Sequence, residues 1–599
     1  MAKHAGRLEL TWTDKDKALL SAGDGRYDYT FVDRADPRVR EVRLLHEVDR
    51  VEAPIPEERP DDLPEPTREN LLITGDAMHV LDALSKTPEW AQKYVGKVKL
   101  VYIDPPFNTG QAFPQYEDNI EHSIWLTMLR DRLRQIKPLL ASDGSVWVHL
   151  DDAEVHRCRA VMDEELGESN FIATIVWQKA YSPKNSAKYL SVDHDYILVY
   201  AKSADAWRPN DLGRSASMDA AYGNPDKDPR GPWKPGDLLA NKPYSLGRYP
   251  ITTPSGRELD GPPPGRYWRV SATKLREMDA DGRIYWGADG SNVPAVKRFL
   301  SDVRGAVPRT MWFYSDVGHN QTAKNEIQSL FPGIDPFATP KPERLLHRII
   351  HVATHPNDVV LDCFAGSGTT AAVAHKMGRR WITSELIADT ASAFAKPRLT
   401  RVVDGDDPGG ITKSTERVAA TDAGLPEMTP AEAQEFGRLL GKVAKDRDDL
   451  DPATVRALRA ATRTRDETTV TWHGGGGFTH LAVGPSMYDV DEDDGDVYLS
   501  TAATNGPWSQ AVAAQLRFTL TPDHPVFCGA RGRQRLAVID GVADEIVVGT
   551  VVEHLGPKER AVIVAKVVLP EAESRLAQSA PGSRIKKAPR DLFPKRTVR

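Results

Sequence analysis

Asp104-Pro105-Pro106-Phe107 is the stretch of this 599-residue chain whose side chains are best suited to a chemical task. It directly follows the apolar run Val98 to Ile103. That run reads as a buried strand, so the tetrapeptide stands at a strand's carboxyl end, where α/β sheets place ligands. Two prolines stiffen the loop and fix its carbonyls. The Asp104 carboxylate and the Pro105 carbonyl can then both accept hydrogen bonds from one amino group. An amine conjugated to an aromatic base is a poor nucleophile, because its lone pair is delocalised into the ring. Two acceptors favour rehybridisation, localise that lone pair and aim it at an electrophile. Phe107 offers a face on which a base taken out of a duplex can stack. Taken alone, Asp-Pro-Pro reads equally well as a stiff surface turn.

A second group, Asp362-Cys363-Phe364-Ala365-Gly366-Ser367-Gly368-Thr369-Thr370, lies between a strand, Val359 to Asp362, and a helix, Thr369 to Met377. Glycines there let the backbone approach a ligand and turn into the helix N-terminus. A phosphate loop is excluded, since no lysine stands where GxxxxGK[ST] needs one. A nicotinamide-binding turn remains open, because Gly366-x-Gly368-x-x-Ala371 fits loosely, and so does a plain tight turn. Glu385 ends the next strand, Arg380 to Glu385, where a carboxylate can hold both ribose hydroxyls of a nucleoside. The turn and its acid imply nucleoside binding without choosing the cofactor. The Asp-Pro-Pro-Phe loop in the same α/β chain tips the balance toward chemistry on a base amine.

The elements around these groups alternate. A helix is expected over Ser123 to Leu140, with Ser123 as N-cap, and strands over Ser145 to Leu150, Phe171 to Trp177 and Tyr196 to Tyr200. A further helix covers Pro342 to Ala353. The result is an α/β core with a largely parallel sheet. Residues 1–70 are polar and end Pro-rich, as a linker or extended arm does. Residues 204–335 are richer in Gly, Pro, Arg and aromatics, with little periodicity. Residues 420–599 form another unit, helical at first, strand-like after Thr468, and basic from Arg584 to Arg599. That tail reads as a solvated end or a contact for DNA or a partner subunit. The acidic run Asp489 to Asp496 reads as a solvated loop.

The length fits three or four folding units, and 40% hydrophobic with 27% charged residues fits a soluble globular protein. The net charge of -7 does not exclude a nucleic-acid partner, since local clustering decides phosphate contact. Cys158, Cys363 and Cys528 lie far apart, so neither a zinc knuckle nor a disulfide framework is expected, and no metal site. No apolar stretch is long enough to cross a bilayer, and the first residues lack a signal-peptide core. A reducing cytoplasm fits.

Asp104 to Phe107 resembles the catalytic motif of the DNA amino-methyltransferases, and Phe364 to Gly368 resembles their cofactor motif. Their order, catalytic motif first, is that of the beta class. The match is closer still to the modification (Mod) subunits of type III restriction–modification systems. Asp104-Pro-Pro-Phe-Asn-Thr-Gly110, His122-Ser-Ile-Trp-Leu126, Leu150-Asp-Asp-Ala-Glu154, Met162-Asp-Glu-Glu-Leu-Gly-Glu168 and Asn170-Phe171 are similar to that family. So are Arg379-Arg-Trp-Ile-Thr-Ser-Glu385 and Pro397-Arg-Leu399, and, more weakly, Gly474 to Phe478 and Lys587 to Phe593. The dense likeness covers residues 70–405. Two positions depart from the pattern: Phe107 replaces the commoner Tyr, and Thr383-Ser384 is polar where an apolar pair is usual.

The resemblance implies a Rossmann-like S-adenosylmethionine-dependent methyltransferase fold with an inserted target-recognition domain and an α+β C-terminal domain. The divisions are an arm over 1–70, a catalytic half over 71–203, target recognition over 204–335, a cofactor half over 336–405, and a C-terminal domain over 420–599 with partner or dimer contacts. Asp104, Pro105, Pro106 and Phe107 are the implied catalytic residues, acting on a flipped base. S-adenosylmethionine would meet Asp76, Lys341, Asp362, Phe364, Ala365, Gly366, Ser367, Gly368, Thr369 and Glu385. For Asp76 the plain alternative is a helix N-cap, and for the segment of Lys341 a Pro-initiated helix start. Asp rather than Ser at position 104 favours adenine N6, with cytosine N4 as the alternative. A nicotinamide-dependent oxidoreductase is the rival of another class, and it leaves Asp104-Pro-Pro-Phe unexplained. Arg248, Arg266, Tyr267, Arg269 and Trp312 are candidate DNA contacts, although most aromatics of that segment are expected to be core. Double-stranded DNA, a second copy of the chain and a separate helicase–nuclease restriction subunit are the implied partners. A cytoplasmic, nucleoid-associated location follows.

Overall fold

A computed structural model describes residues 9–21, 27–58, 63–109, 112–113, 116–117, 120–335, 337–407, 409–420, 428–445, 447, 450–491 and 496–593. The chain forms two compact units, a larger one from Met1–Arg208 and Arg309–Arg599 and a smaller one from Pro209–Pro308.

The larger unit is built on a ten-stranded sheet. Its strands, in chain order, are β1 (Leu45–Ala53), β2 (Asn70–Thr74), β3 (Val98–Ile103), β4 (Leu140–Leu150), β5 (Phe171–Gln178), β6 (His194–Ala201), β7 (Met311–Trp312), β8 (Val359–Asp362), β9 (Arg380–Glu385) and β10 (Gly476–Val483). They lie in the order β7-β5-β6-β4-β3-β8-β9-β2-β10-β1. The six strands from β4 to β10 in that order are mutually parallel. β6 runs against both β4 and β5, and β1 closes the other end antiparallel to β10.

Central parallel strands are covered on both faces, so they read as continuous apolar runs. β3 shows it: all its residues but Lys99 are buried. The helices that cover the sheet include α1 (Ala77–Lys86), α2 (His122–Ile136), α3 (Val155–Met162), α4 (Asn320–Leu330), α5 (Glu343–Ala353), α6 (Thr369–Lys376) and α7 (Lys396–Asp404). α2 buries Trp125, Leu129, Leu133 and Ile136, one stripe at helical spacing. It begins one residue before the expected Ser123. Its cap is Glu121, whose carboxylate accepts the N–H groups of Ser123 and Ile124. A glutamate reaching forward onto the first turn in this way is invisible to a search for Ser or Thr.

Three of the expected divisions differ from the compact units. The first 70 residues are not simply an arm: Ala18–Ser21 pairs with Tyr29–Val32, and β1 is the sheet's last strand. The smaller unit ends at Pro308, so 309–335 returns to the large sheet as β7 and α4. The C-terminal segment supplies β10 to that sheet. Elsewhere it builds a five-stranded sheet, whose last strand is Arg584–Lys587. The start of the basic tail is therefore paired rather than free, and 594–599 lie outside the described residues. The acidic run partly forms a hairpin, Tyr488–Val490 with Val497–Leu499. Its residues 492–495 also lie outside. In the smaller unit, Trp233–Asp237, Ala295–Phe299 and Ile284–Tyr285 form an antiparallel sheet, and Leu238, Ile251, Trp268, Leu275 and Ile284 form a core.

Gly75 couples β2 to β10. Its φ is +140°, and a Cβ there would stand 2.5 Å from Val483 Cγ2. Gly75→Ala is expected to destabilise the protein by about 2 kcal/mol or more, through backbone strain and overpacking. An unchanged midpoint in chemical unfolding would show that this junction is not constrained.

Candidate active site

β3 and β8 are neighbours in the sheet and run parallel, with Val101 opposite Leu361. The loops that follow them therefore leave the same edge side by side. Asp104-Pro-Pro-Phe107 follows one, and the glycine turn follows the other. Between them lies a cavity of about 380 Å³, lined also by Glu385 from the end of β9 and by Ala338 to Lys341.

The acid–proline loop is braced from below. Trp125, fully buried on α2, donates its indole N–H to the Pro106 carbonyl at 2.8 Å. Asn108 takes a left-handed backbone, φ 62°, and its amide bridges the Ile120 N–H and the buried Glu154 carboxylate. Asp104 itself is half committed. One carboxylate oxygen, Oδ2, accepts from the Lys341 ammonium at 2.5 Å. The other, Oδ1, is buried with no hydrogen-bond partner among the described residues. The Lys341 ammonium also stands 5.0 Å from the centre of the Phe107 ring.

Behind Phe107 is a polar wall that sequence reasoning did not single out. The His149 ring centroid is 5.7 Å from that of Phe107. Tyr102 hydroxyl meets His149 Nδ1 at 2.9 Å, and Asp195 Oδ2 lies 3.4 Å from Nε2. Burial pushes the His149 pKa down, which keeps the ring neutral. Burial alone would raise Asp195, but His149 and Lys179 hold it below the ordinary carboxylate range. Lys179 pairs with its other oxygen, and Tyr102, Lys179 and Asp195 all line the cavity. Only the fold brings β3, β4, β5 and β6 together here.

On the opposite side, Gly366 and Gly368 both take left-handed φ, 51° and 75°. A Cβ at Gly366 would come within 3.1 Å of the Phe337 ring, and one at Gly368 within 3.2 Å of the Ala395 backbone. Glycine is required for this close approach. Glu385 accepts the N–H of Gly366 at 2.8 Å and that of Ile387 at 3.1 Å, so it fastens the turn to β9. Asp362 accepts the Phe364 N–H at 3.0 Å. Burial raises both acids to about 7, against the hydrogen bonds that favour their charged forms. Thr369 is held by Arg398, which also pairs with the buried Glu343.

The expected site residues fall into three groups. Asp104 to Phe107, Lys341, Asp362, Phe364, Ala365, Gly366, Ser367, Thr369 and Glu385 line one cavity, and Gly368 shapes its turn without lining it. Asp76 does not line it. It caps α1 through the Met78 N–H, pairs with Arg132 at 2.8 Å and accepts from Tyr29, so its plain alternative as an N-cap is what the structure shows. Tyr27, from the supposed arm, lines the cavity instead. Trp312 is corrected too: it is buried in β7 beside Trp147, with its indole N–H on the Arg309 carbonyl. Arg248, Arg266 and Arg269 are exposed on the smaller unit, where Arg248 lies 4.8 Å over the Tyr267 ring. Arg269 donates to the Leu239 carbonyl. Among the described residues no group of three acidic, His or Cys side chains could hold a metal.

A doubly covered α/β sheet with a glycine turn and an acid–proline loop at adjacent strand ends is a Rossmann-like methyltransferase fold. A family model for DNA methylases matches residues 98–396. The Mod subunit of the type III restriction–modification enzyme StyLTI from Salmonella typhimurium is 32% identical over 334 residues, 50% of this chain and 49% of that protein. The EcoP15I Mod subunit from Escherichia coli is 26% identical over 384 residues, 53% and 57% of the two chains. The type II methyltransferase M.KpnI from Klebsiella pneumoniae is 30% identical over 334 residues, 51% of this chain and 76% of that one. The chain spans about half the length of the type III relatives it matches. It belongs to the DNA methylase family.

The raised Asp362 pKa has a consequence for stability. Its contribution is fully present below the ordinary value of 3.8 and is lost as pH rises through about 7. Asp362→Asn keeps the Phe364 contact but cannot ionise. Its melting temperature is expected to gain on the parent's as pH rises from 5 to 8. A constant difference would contradict the assignment.

Proposed function

We propose that this chain transfers a methyl group from S-adenosylmethionine to adenine N6 in DNA, as the modification subunit of a type III restriction–modification system. One observation carries the reading: Asp104, whose Oδ1 has no hydrogen-bond partner among the described residues, lines the same cavity as the glycine turn. A buried acceptor left unmade is costly unless a ligand completes it. Lys341 occupies Asp104 Oδ2, so Oδ1 is the carboxylate oxygen left for an incoming amino group.

The residues present fit the cofactor. The tight Gly366 backbone admits an adenosyl group, Glu385 at the strand end takes ribose hydroxyls, and Asp362 and Phe364 border the same space. Bound there, S-adenosylmethionine supplies an electrophilic sulfonium methyl. The chain's own work lies on the other side. Asp104 holds one amine hydrogen and aims the nitrogen, with the Pro105 carbonyl as the expected second acceptor. Lys341 keeps Asp104 Oδ2 engaged, so the carboxylate cannot rotate away. Phe107, backed by the His149 ring, gives the base a face to stack on. Enclosure by Pro105, Phe337 and Pro340 excludes water from the reacting nitrogen.

The smaller unit, with exposed Arg248, Arg266 and Arg269 and half-buried Tyr267, is the reading's candidate for target recognition. A second copy and a separate restriction subunit are its partners, and the cytoplasm its place.

Two outcomes are expected. Cells expressing the chain should carry N6-methyladenine at one sequence, and Asp104→Ala should cut transfer from labelled S-adenosylmethionine about a thousandfold. N4-methylcytosine alone would reject the choice of base, and full activity of the variant would reject the site. Because Glu385 titrates at about 7, S-adenosylmethionine affinity should fall as pH drops below 7, by up to about tenfold per unit. Calorimetry showing a flat profile from pH 6 to 8 would remove Glu385 from the ribose contact.

A further inference from the structure

The chain between β5 and β6 has an unusual surface. Leu190 and Tyr189 are 86% and 84% exposed, the highest values for large hydrophobic side chains among the described residues. Tyr181 on the same loop is 69% exposed. Exposed apolar side chains scattered singly mean little, but two adjacent ones at a loop tip invite a partner. Residues 179 to 190 also carry Lys179, Lys184 and Lys188 and no acid. Lys179 and Lys184 line the cavity that Asp104 opens on.

The loop is built, not merely long. Its base is closed by the Lys179 and Ala180 N–H groups on the Asp193 carbonyl, at 2.8 and 3.2 Å. Higher up, the Lys184 N–H donates to Ser191 Oγ at 2.9 Å, and the Ala187 N–H to the Lys184 carbonyl at 3.0 Å. Tyr181 packs edge-on against Tyr314 at 5.3 Å. The Lys188 ammonium lies 5.1 Å from the Tyr189 ring centre. These contacts brace the backbone, while Tyr189 and Leu190 are held out toward solvent on a loop whose Lys179 and Lys184 line the cavity.

A duplex that has given up one base to such a cavity has matching chemistry. It holds a gap one base thick between two apolar base faces, flanked by phosphates. Aromatic and aliphatic wedges fill or open such steps, and lysines neutralise the phosphates beside them. We infer that the loop spanning Lys179 to Asp193 is a DNA-contacting wedge: Tyr189 and Leu190 enter the base stack beside the extruded nucleotide, while Lys184 and Lys188 take the adjoining phosphates. The inference rests on the DNA methyl-transfer reading. It places a DNA contact in the larger unit, outside the segment where target recognition is expected.

The test uses the full chain and a duplex carrying the site found by methylation profiling of cells that express it. One duplex has the target base paired, and a second has it opposite an abasic residue, where no pairing resists extrusion. The double variant Tyr189→Ala/Leu190→Ala should lose roughly tenfold or more in kcat/KM on the first, and less than about threefold on the second. Equal losses on both, or none on either, overturn the wedge. Separately, Lys184→Ala/Lys188→Ala should lower the slope of log affinity against log salt by about 2 on a mixed-sequence duplex. That measurement needs no methyl transfer. If the parent chain methylates no DNA, the proposed function fails on its own, and an unchanged salt slope is then what sinks the loop contact.

Discussion

The parallel pairing of β3 with β8 is the constraint on which the site depends. Asp104 and Asp362 are distant in sequence, and neither loop makes a cavity alone. Parallel neighbours point their carboxyl ends the same way, so pairing these two strands sets the acid–proline loop beside the glycine turn. A strand slipped by one residue would send each side chain to the other face of the sheet. The fully buried Leu100, Val101, Ile103, Val360 and Leu361 fix the register, because both faces of these strands are packed. These five residues therefore set how far apart the two loops stand, although none of the five lines the cavity.

Charge inside that cavity is arranged unevenly, and the unevenness is informative. Asp104 has a cation on one oxygen. Asp195 has Lys179 on one oxygen and His149 near the other. Asp362 and Glu385 have only hydrogen bonds, and burial lifts both to about 7. In the half of the cavity next to Phe107, each acid thus has a lysine on one of its oxygens. The half next to the glycine turn holds acids whose charge is costly until something replaces the missing water. A ligand bearing positive charge and hydroxyl donors offsets that cost in the second half. A neutral base offering an amine fits the first.

Most of this frame was legible in the sequence because it is local. Val98 to Ile103 and Arg380 to Glu385 are strands at the expected bounds, since each is a short run with an apolar centre bounded by turn residues. The site's two ends were legible for the same reason, as short motifs with the right neighbours. What escaped notice is held by long-range contact. Tyr27 lies in a polar stretch whose pattern says arm, yet the fold carries it to the cavity. His149 reads as one polar residue within a strand, and only pairing of β4 with β6 brings it to Asp195. Asp76 resembled a cofactor residue with a helix cap as the plain alternative, and in the fold it caps α1 and pairs with Arg132. Trp312 looked like a DNA contact because its segment mixes cations and aromatics. β7 buries it in the main sheet.

The cavity and the smaller unit are built from separate parts of the chain. Every residue lining the cavity lies outside 209–308. The smaller unit has its own sheet and its own core of Trp268, Ile251 and their neighbours, so substitutions on its exposed face need not disturb Asp104 or the glycine turn. The larger unit must keep ion pairs, caps and strand register to sustain the cavity. The smaller one needs only to stay folded while its surface varies. Under the proposed function, separation of this kind suits one reaction directed to many sequences: residues that would activate an amine are kept apart from those that would choose which amine is presented.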